Sequence, residues 1–143
     1  MKPIDDVDKK ILRILQRNSR TPISQISKEV SMSQPSVKER IVKLEENYVI
    51  SGYTITLNLR EMERGTNAFI LLKTELCRQL EAFCEQAPEV SDLVRISGEY
   101  NYLIKLQVPS VKELAEFQDA IMKFGPSKSH IGTKNIIENR VIL

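Results

Sequence analysis

Ile23-Ser24-Gln25-Ile26-Ser27-Lys28-Glu29-Val30-Ser31-Met32-Ser33-Gln34-Pro35-Ser36-Val37-Lys38-Glu39-Arg40 is the stretch on which the fold turns. Ile23, Ile26 and Val30 recur at helical spacing and mark the buried side of one short helix. Ser31-Met32-Ser33 then supplies a turn. Ser33 has the chemistry to cap a following helix, and an early Pro35 needs no hydrogen-bonded amide there. Val37, Ile41 and Leu44, at i, i+4 and i+7, fall within a stripe about 60° wide, so this helix is held on one side and free on the other. The layout is a helix-turn-helix, which implies an N-terminal part able to grip DNA.

Upstream, a first helix is predicted over Asp6–Gln16 with Asp5 as N-cap. Ile4, Val7, Ile11, Ile14 and Leu15 form its apolar face, and Lys9, Lys10, Arg13 and Arg17 lie opposite. Asn18–Pro22 has loop composition, with Pro22 suited to the first turn of the second helix. Downstream, Tyr48–Leu57 is rich in β-branched and aromatic residues around Gly52, and is expected to be a wing, either an extended pair or a bent strand. The polar run Asn58–Gly65 is the linker candidate.

A second pattern follows. Strands are predicted over 68–74, 93–97, 102–108 and 131–142. Helices are predicted over 78–86, ended by Pro88, and over 111–124, capped by Ser110 and stopped at Gly125-Pro126. The order βαββαβ is that of a ferredoxin-like split unit. Its four-stranded sheet would carry helices on one face and leave the other open and apolar, a surface suited to a second copy. The fold class is therefore α+β. Residues 1–57 form a winged helix-turn-helix, 58–66 a hinge, and 67–143 the βαββαβ domain.

Composition narrows the function. The net charge is only +2, yet residues 1–64 carry 12 Lys and Arg against 9 Asp and Glu. That modest bias fits a DNA-facing first half. No run of 18 or more apolar residues occurs, and the start Met1-Lys2-Pro3-Ile4-Asp5-Asp6 lacks a secretory core, so a cytoplasmic, nucleoid-associated protein with no membrane partner is expected. Cys77 and Cys84, about two helical turns apart, are expected as reduced thiols, and the lone His130 as a surface or turn residue. With no glycine-rich phosphate loop, metal cluster or Ser/His/Asp set, neither an enzyme nor a bound metal or cofactor is expected.

Asp5–Leu12, Ser33–Glu45, Val49-Ile50-Ser51-Gly52-Tyr53-Thr54 and Ser97-Gly98-Glu99-Tyr100-Asn101-Tyr102, in that order, resemble the Lrp/AsnC family, also called feast/famine regulatory proteins. The resemblance covers nearly the whole chain. It implies a winged helix-turn-helix joined by a hinge to a βαββαβ (RAM-type) sensing and assembly domain. It also implies dimers and higher rings such as octamers, and an amino acid or related effector bound where dimers meet. Such proteins regulate amino-acid metabolism and transport, or wrap and bend DNA. This sequence departs from the pattern at three places. Tyr48 stands where the family has a glycine, so the third helix is expected to end without its usual left-handed glycine. The stretch from Arg64 to Ala68 is short. Asn101 stands where the sensing motif carries aspartate.

For double-stranded DNA, Gln34, Ser36, Glu39 and Lys43 are assigned to the groove, beside the capping Ser33. Lys38 and Arg40 are assigned to phosphates, with Arg20 and Lys28 as outlying helpers. Glu39 can instead orient Lys43 through an i,i+4 pair. For the effector, Gly98, Glu99, Tyr100 and Asn101 form the candidate loop. Three readings compete there: a standard amino acid bound weakly, a different ligand, or an assembly contact. Three functions stay open: a sequence-specific regulator tuned by an effector, an architectural DNA-bending or compacting protein without one, and a small-molecule sensor that partners another protein.

Overall fold

The computed structural model describes residues 3–138, 140 and 143. They divide into two units, the described residues of Met1–Thr56 with Ile137–Leu143, and Leu57–Ile136.

The first unit is built on three helices, α1 (Asp6–Arg17), α2 (Ile23–Val30) and α3 (Gln34–Glu46). Asp5 caps α1: its Oδ1 accepts the amides of Val7 at 2.9 Å and Asp8 at 2.8 Å, while the Asp8 carboxylate accepts the Asp5 amide. This reciprocal capping box satisfies amides that have no partner inside the helix. Pro22 is the N-cap of α2, one place ahead of the expected first turn. The turn into α3 is made by Ser31, whose φ of 55° is left-handed, and Ser33 caps α3 by accepting the Ser36 amide. Ile11, Ile14, Ile26, Val37 and Leu44 form the buried core of this unit.

The end of α3 has no left-handed glycine, as the sequence implies; Tyr48 takes the left-handed conformation in its place, with φ of 56°. The Val49 and Ile50 amides then close back onto the Leu44 carbonyl at 2.9 and 3.0 Å. A side chain costs about 1 kcal/mol more than glycine in this conformation, and Tyr48 is 85% exposed, so its ring gains little packing in return. The expectation for the wing is corrected: it does not form as strand. Residues 51–58 carry no regular structure, since an extended segment needs a partner for its amides and carbonyls. Tyr53 is anchored there by donating its hydroxyl to Glu45 at 2.6 Å. Partial burial and the Glu45 carboxylate push its pKa up to about 12.

In the second unit, residues 59–63, within the linker candidate, form a turn. The Arg64 amide reaches the Leu59 carbonyl at 2.8 Å, and Glu63 is left-handed at φ 55°. Then come β1 (Thr66–Leu72), α4 (Cys77–Gln86), β2 (Val90–Arg95), β3 (Tyr102–Val108), α5 (Val111–Ile121) with a 3₁₀ turn to Phe124, and β4 (Ser127–Gly132). The sheet is antiparallel in the order β2-β3-β1-β4. Alternate residues of β1 and β3, from Ala68, Ile70 and Leu72 to Tyr102, Ile104 and Leu106, pack beneath Leu80, Leu114, Phe117 and Ile121 of the helices. The other face presents Phe69, Leu71, Leu103 and the half-exposed Val94, edged by Lys105 and Gln107.

The last strand lies before its expected place at 131–142. Residues 133–138 are not strand, and 139, 141 and 142 lie outside the described residues. Ser127-Lys128-Ser129-His130 is polar and gives no strand signal. Its pairing is set by Gly125, whose φ is 143° and at which a Cβ would stand 2.1 Å from the Lys73 carbonyl oxygen. Only glycine lets β1 and β4 close this tightly. His130 accordingly sits on an edge strand, exposed. Cys84 is buried and Cys77 partly so, both reduced; burial pushes the Cys84 thiol up to about 11. Among the described residues no helix is long and apolar enough to cross a membrane.

Candidate nucleic-acid interface and sensing loop

The free side of α3 follows from its anchoring. With Val37 and Leu44 turned into the core, Pro35, Lys38, Glu39, Val42 and Glu46 project outward at helical spacing, and all five are exposed. On one flank Gln34, Pro35 and Lys38 form a shallow groove with Ile23 of α2. On the other, Ser36, Glu39, Arg40 and Lys43 line a cleft of about 380 Å³ with Asp5 and Asp8 of the α1 start. The assigned groove residues therefore fall on two flanks, Gln34 apart from Ser36 and Lys43. Arg20 and Lys28 are exposed, in the loop before α2 and in its last turn.

Five of the assigned side chains, Ser33, Ser36, Glu39, Arg40 and Lys43, have definite partners. Glu39 accepts from Lys43 at 2.6 Å, which lowers the Glu39 carboxyl below its ordinary range. This i,i+4 pair neutralises part of the positive charge offered by α3. Ser36 is within 2.7 Å of the Ser33 hydroxyl. Arg40 is turned away from the outward stripe: its Nη1 donates to Asp5 Oδ2 at 2.7 Å and to Asp8 Oδ1 at 2.8 Å. Lys38 keeps an exposed ammonium. Val42, 39% exposed on the same stripe, was not singled out from sequence; its place four residues after Lys38 was the available signal.

The candidate sensing loop lies between β2 and β3. Gly98 has φ of 116°, a conformation that side chains rarely adopt. Glu99 is exposed, and the Lys128 ammonium stands 5.7 Å from the Tyr100 ring centre. Asn101 faces inward instead. Its Nδ2 donates to the Thr74 carbonyl at 2.7 Å, and its Oδ1 accepts the Thr74 amide at 2.9 Å. Its own amide reaches the Leu72 carbonyl at 3.1 Å, and its carbonyl accepts from Ile96 at 2.9 Å. Asn101 thus extends the β1–β3 ladder past its last pair, Leu72 with Tyr102. An aspartate could not do this, because a carboxylate has no donor for the Thr74 carbonyl. Close by, Arg95 donates to the Cys77 sulfur at 3.2 Å, and the buried Tyr102 donates to Glu81. Burial first, then the Glu81 contact, raises the Tyr102 hydroxyl well above its usual range.

Comparison with known proteins agrees with both units. An AsnC-type helix-turn-helix domain matches residues 4–45, and an Lrp/AsnC ligand binding domain matches residues 67–142. The chain belongs to the Lrp/AsnC family. The uncharacterised HTH-type transcriptional regulator YezC of Bacillus subtilis is 38% identical over 122 residues, covering 85% of this chain and 88% of that one. Among solved structures, B. subtilis LrpC superposes with a TM-score of 0.89 at 20% identity, covering 98% of this chain and all of that one. A Neisseria meningitidis transcriptional regulator in complex with L-Met superposes with a TM-score of 0.87 at 24% identity, covering 94% and 92%.

As an Lrp/AsnC member the chain is an HTH-type transcriptional regulator, and the family is one of regulators rather than enzymes. Within that frame the partners of Arg40 and Asn101 are what sequence reasoning missed. Asp5 lies 35 residues from Arg40, and Thr74 lies 27 from Asn101. No local pattern connects residues that far apart.

Proposed function

We propose that this regulator binds duplex DNA through the outward stripe of α3, as a dimer or larger ring, and controls genes of amino-acid metabolism or transport in response to a small effector. The observation that carries the DNA reading is the exposed stripe that includes Lys38 and Val42 on a helix whose other side is buried. Lys38 neutralises phosphate, Gln34 and Lys43 reach base edges, and Val42 suits a thymine methyl. One such helix binds weakly, and two at fixed spacing bind specifically. The open sheet face around Phe69, Leu71 and Leu103 is suited to bring a second copy into register. Such a protein works in the cytoplasm, on the nucleoid.

The effector reading rests on the loop around Gly98 and on relatives. The N. meningitidis protein and a Mycobacterium tuberculosis feast or famine regulatory protein were both crystallised with L-methionine. With Asn101 engaged by Thr74, Glu99 is the carboxylate available to an ammonium group, and loop amides suit a carboxylate.

The test combines genome-wide footprinting with calorimetry against the standard amino acids. Discrete promoter sites, and heat with at least one amino acid that Glu99→Gln abolishes, are the expected results. Broad coverage without discrete sites would instead establish the architectural role. Absence of heat at millimolar concentration would remove the amino acid.

A further inference from the structure

Arg40, the cation nearest the middle of α3, is committed to two carboxylates of α1. The four oxygens are divided between two tasks. Asp5 Oδ1 and Asp8 Oδ2 close the capping box, while Asp5 Oδ2 and Asp8 Oδ1 converge on Arg40 Nη1. The Arg40 side chain is 29% exposed and that of Asp8 only 16%, so this pair is better shielded than the Glu39–Lys43 pair at 67% and 63%. One guanidinium between two carboxylates leaves a local excess of negative charge. A phosphate claiming Nη1 would have to displace both charge-assisted bonds, and one approaching the other guanidinium nitrogens would meet the two carboxylates already seated there.

We propose that Arg40 is a positioning residue: it pins the rotation of α3 to the α1 start through Asp5 and Asp8, and does not neutralise phosphate. The core that α1 and α3 share, with Ile11, Ile14, Val37 and Leu44 in it, is apolar and weakly directional. The Arg40 bonds are directional, and they lie at the rim next to Ser36 and Lys43. Loss of the pin lets α3 turn about its axis and carry its reading side chains off register. Base contacts fail at such displacements while phosphate contacts adapt.

This inference rests on α3 being the DNA-reading helix, so the experiment includes Lys38→Gln. The full-length protein is titrated with a duplex it has itself selected from a random pool, and with a scrambled duplex, across a range of salt. The double variant Arg40→Gln/Asp8→Asn leaves the net charge unchanged. Its preference for the selected duplex should fall roughly tenfold, with the slope of log affinity against log salt as in the parent. A slope reduced by about 0.9 per bound protomer would make Arg40 a phosphate contact and overturn the proposal. So would an unchanged preference. If the double variant does not fold, the parent decides by carbon-detected NMR: Asp5 and Asp8 carboxyl signals that stay put on DNA saturation support the pin, and signals that move to free-carboxylate positions overturn it. Lys38→Gln should lower the slope by about 0.9 per protomer. If it changes nothing, the reading of α3 fails, which an Arg40 result alone does not do.

Discussion

The two units solve the same stability problem with different means. Among the described residues, the helical unit buries five apolar side chains in its core, whereas the sheet unit buries thirteen. A small core leaves little margin over conformational entropy. The helical unit therefore leans on directional polar devices: the Asp5 capping box, the Ser33 cap and the Arg40 pins. The sheet unit has ladders on both sides of β1 and an apolar layer beneath them. Its main polar device, the Asn101–Thr74 clamp, shapes one loop rather than holding the unit together.

The largest test of this contrast deletes one fully buried isoleucine from each. Ile26→Ala and Ile70→Ala should each cost about 2–4 kcal/mol. In differential scanning calorimetry of the full chain, Ile26→Ala should abolish the transition of the helical unit and leave that of the sheet unit in place. Ile70→Ala should lower the sheet transition yet leave it cooperative. Equal fractional losses in the two variants would break the contrast.

Asn101→Asp comes next. It removes the donor to Thr74 and sets a carboxylate against a carbonyl, a cost of about 1–3 kcal/mol to the sheet unit at neutral pH. The folded state favours the protonated acid, which can again donate, so the carboxyl is raised by folding. The variant is therefore closest to the parent at acid pH and falls behind as pH rises through that raised value. Urea midpoints from pH 4 to 8 check this, and a gap independent of pH would mean the clamp does not act as described.

Tyr48→Gly should act in the opposite direction, stabilising the helical unit by about 0.5–1 kcal/mol by relieving the left-handed backbone at the end of α3. A higher melting temperature for that unit alone is expected. The smallest effect concerns Asp5, whose carboxyl is held below its ordinary range by the Asp8 amide first and by Arg40 next. A depressed carboxyl contributes stability above its unfolded pKa and loses it as pH falls through the folded one. The helical unit should thus weaken on acidification, and Asp5→Asn, which keeps a good cap, should flatten the decline in its urea midpoint.

Much of this molecule was legible because its signals are local. Asp5 and Ser33 are caps recognisable from the residues that follow them. Val37 and Leu44 share a stripe set only by helical periodicity, and β3 alternates from Tyr102 to Val108 as a strand with one buried face must. Legibility failed where pairing decides. Tyr53, Ile55 and Leu57 have strand-forming side chains but, among the described residues, no strand beside them, and all three are exposed. Ser127–His130 lacks strand-forming side chains, yet Gly125 delivers it to β1.

The chain's own pattern of caps, stripes and breakers determined the helices, their buried sides and the order of elements, because those depend on contacts within a few residues. Which cation faces outward and which amide faces a ligand could be settled only by folding. Lys38 and Arg40 are two residues apart and alike in charge, but one meets solvent and the other meets Asp5 and Asp8. Asn101 lies two residues from Glu99, but its amide is consumed by Thr74 while Glu99 stays exposed. Such partners are brought together across 27 to 35 residues by packing, and charge and hydrogen-bond demand are satisfied only where the chain returns.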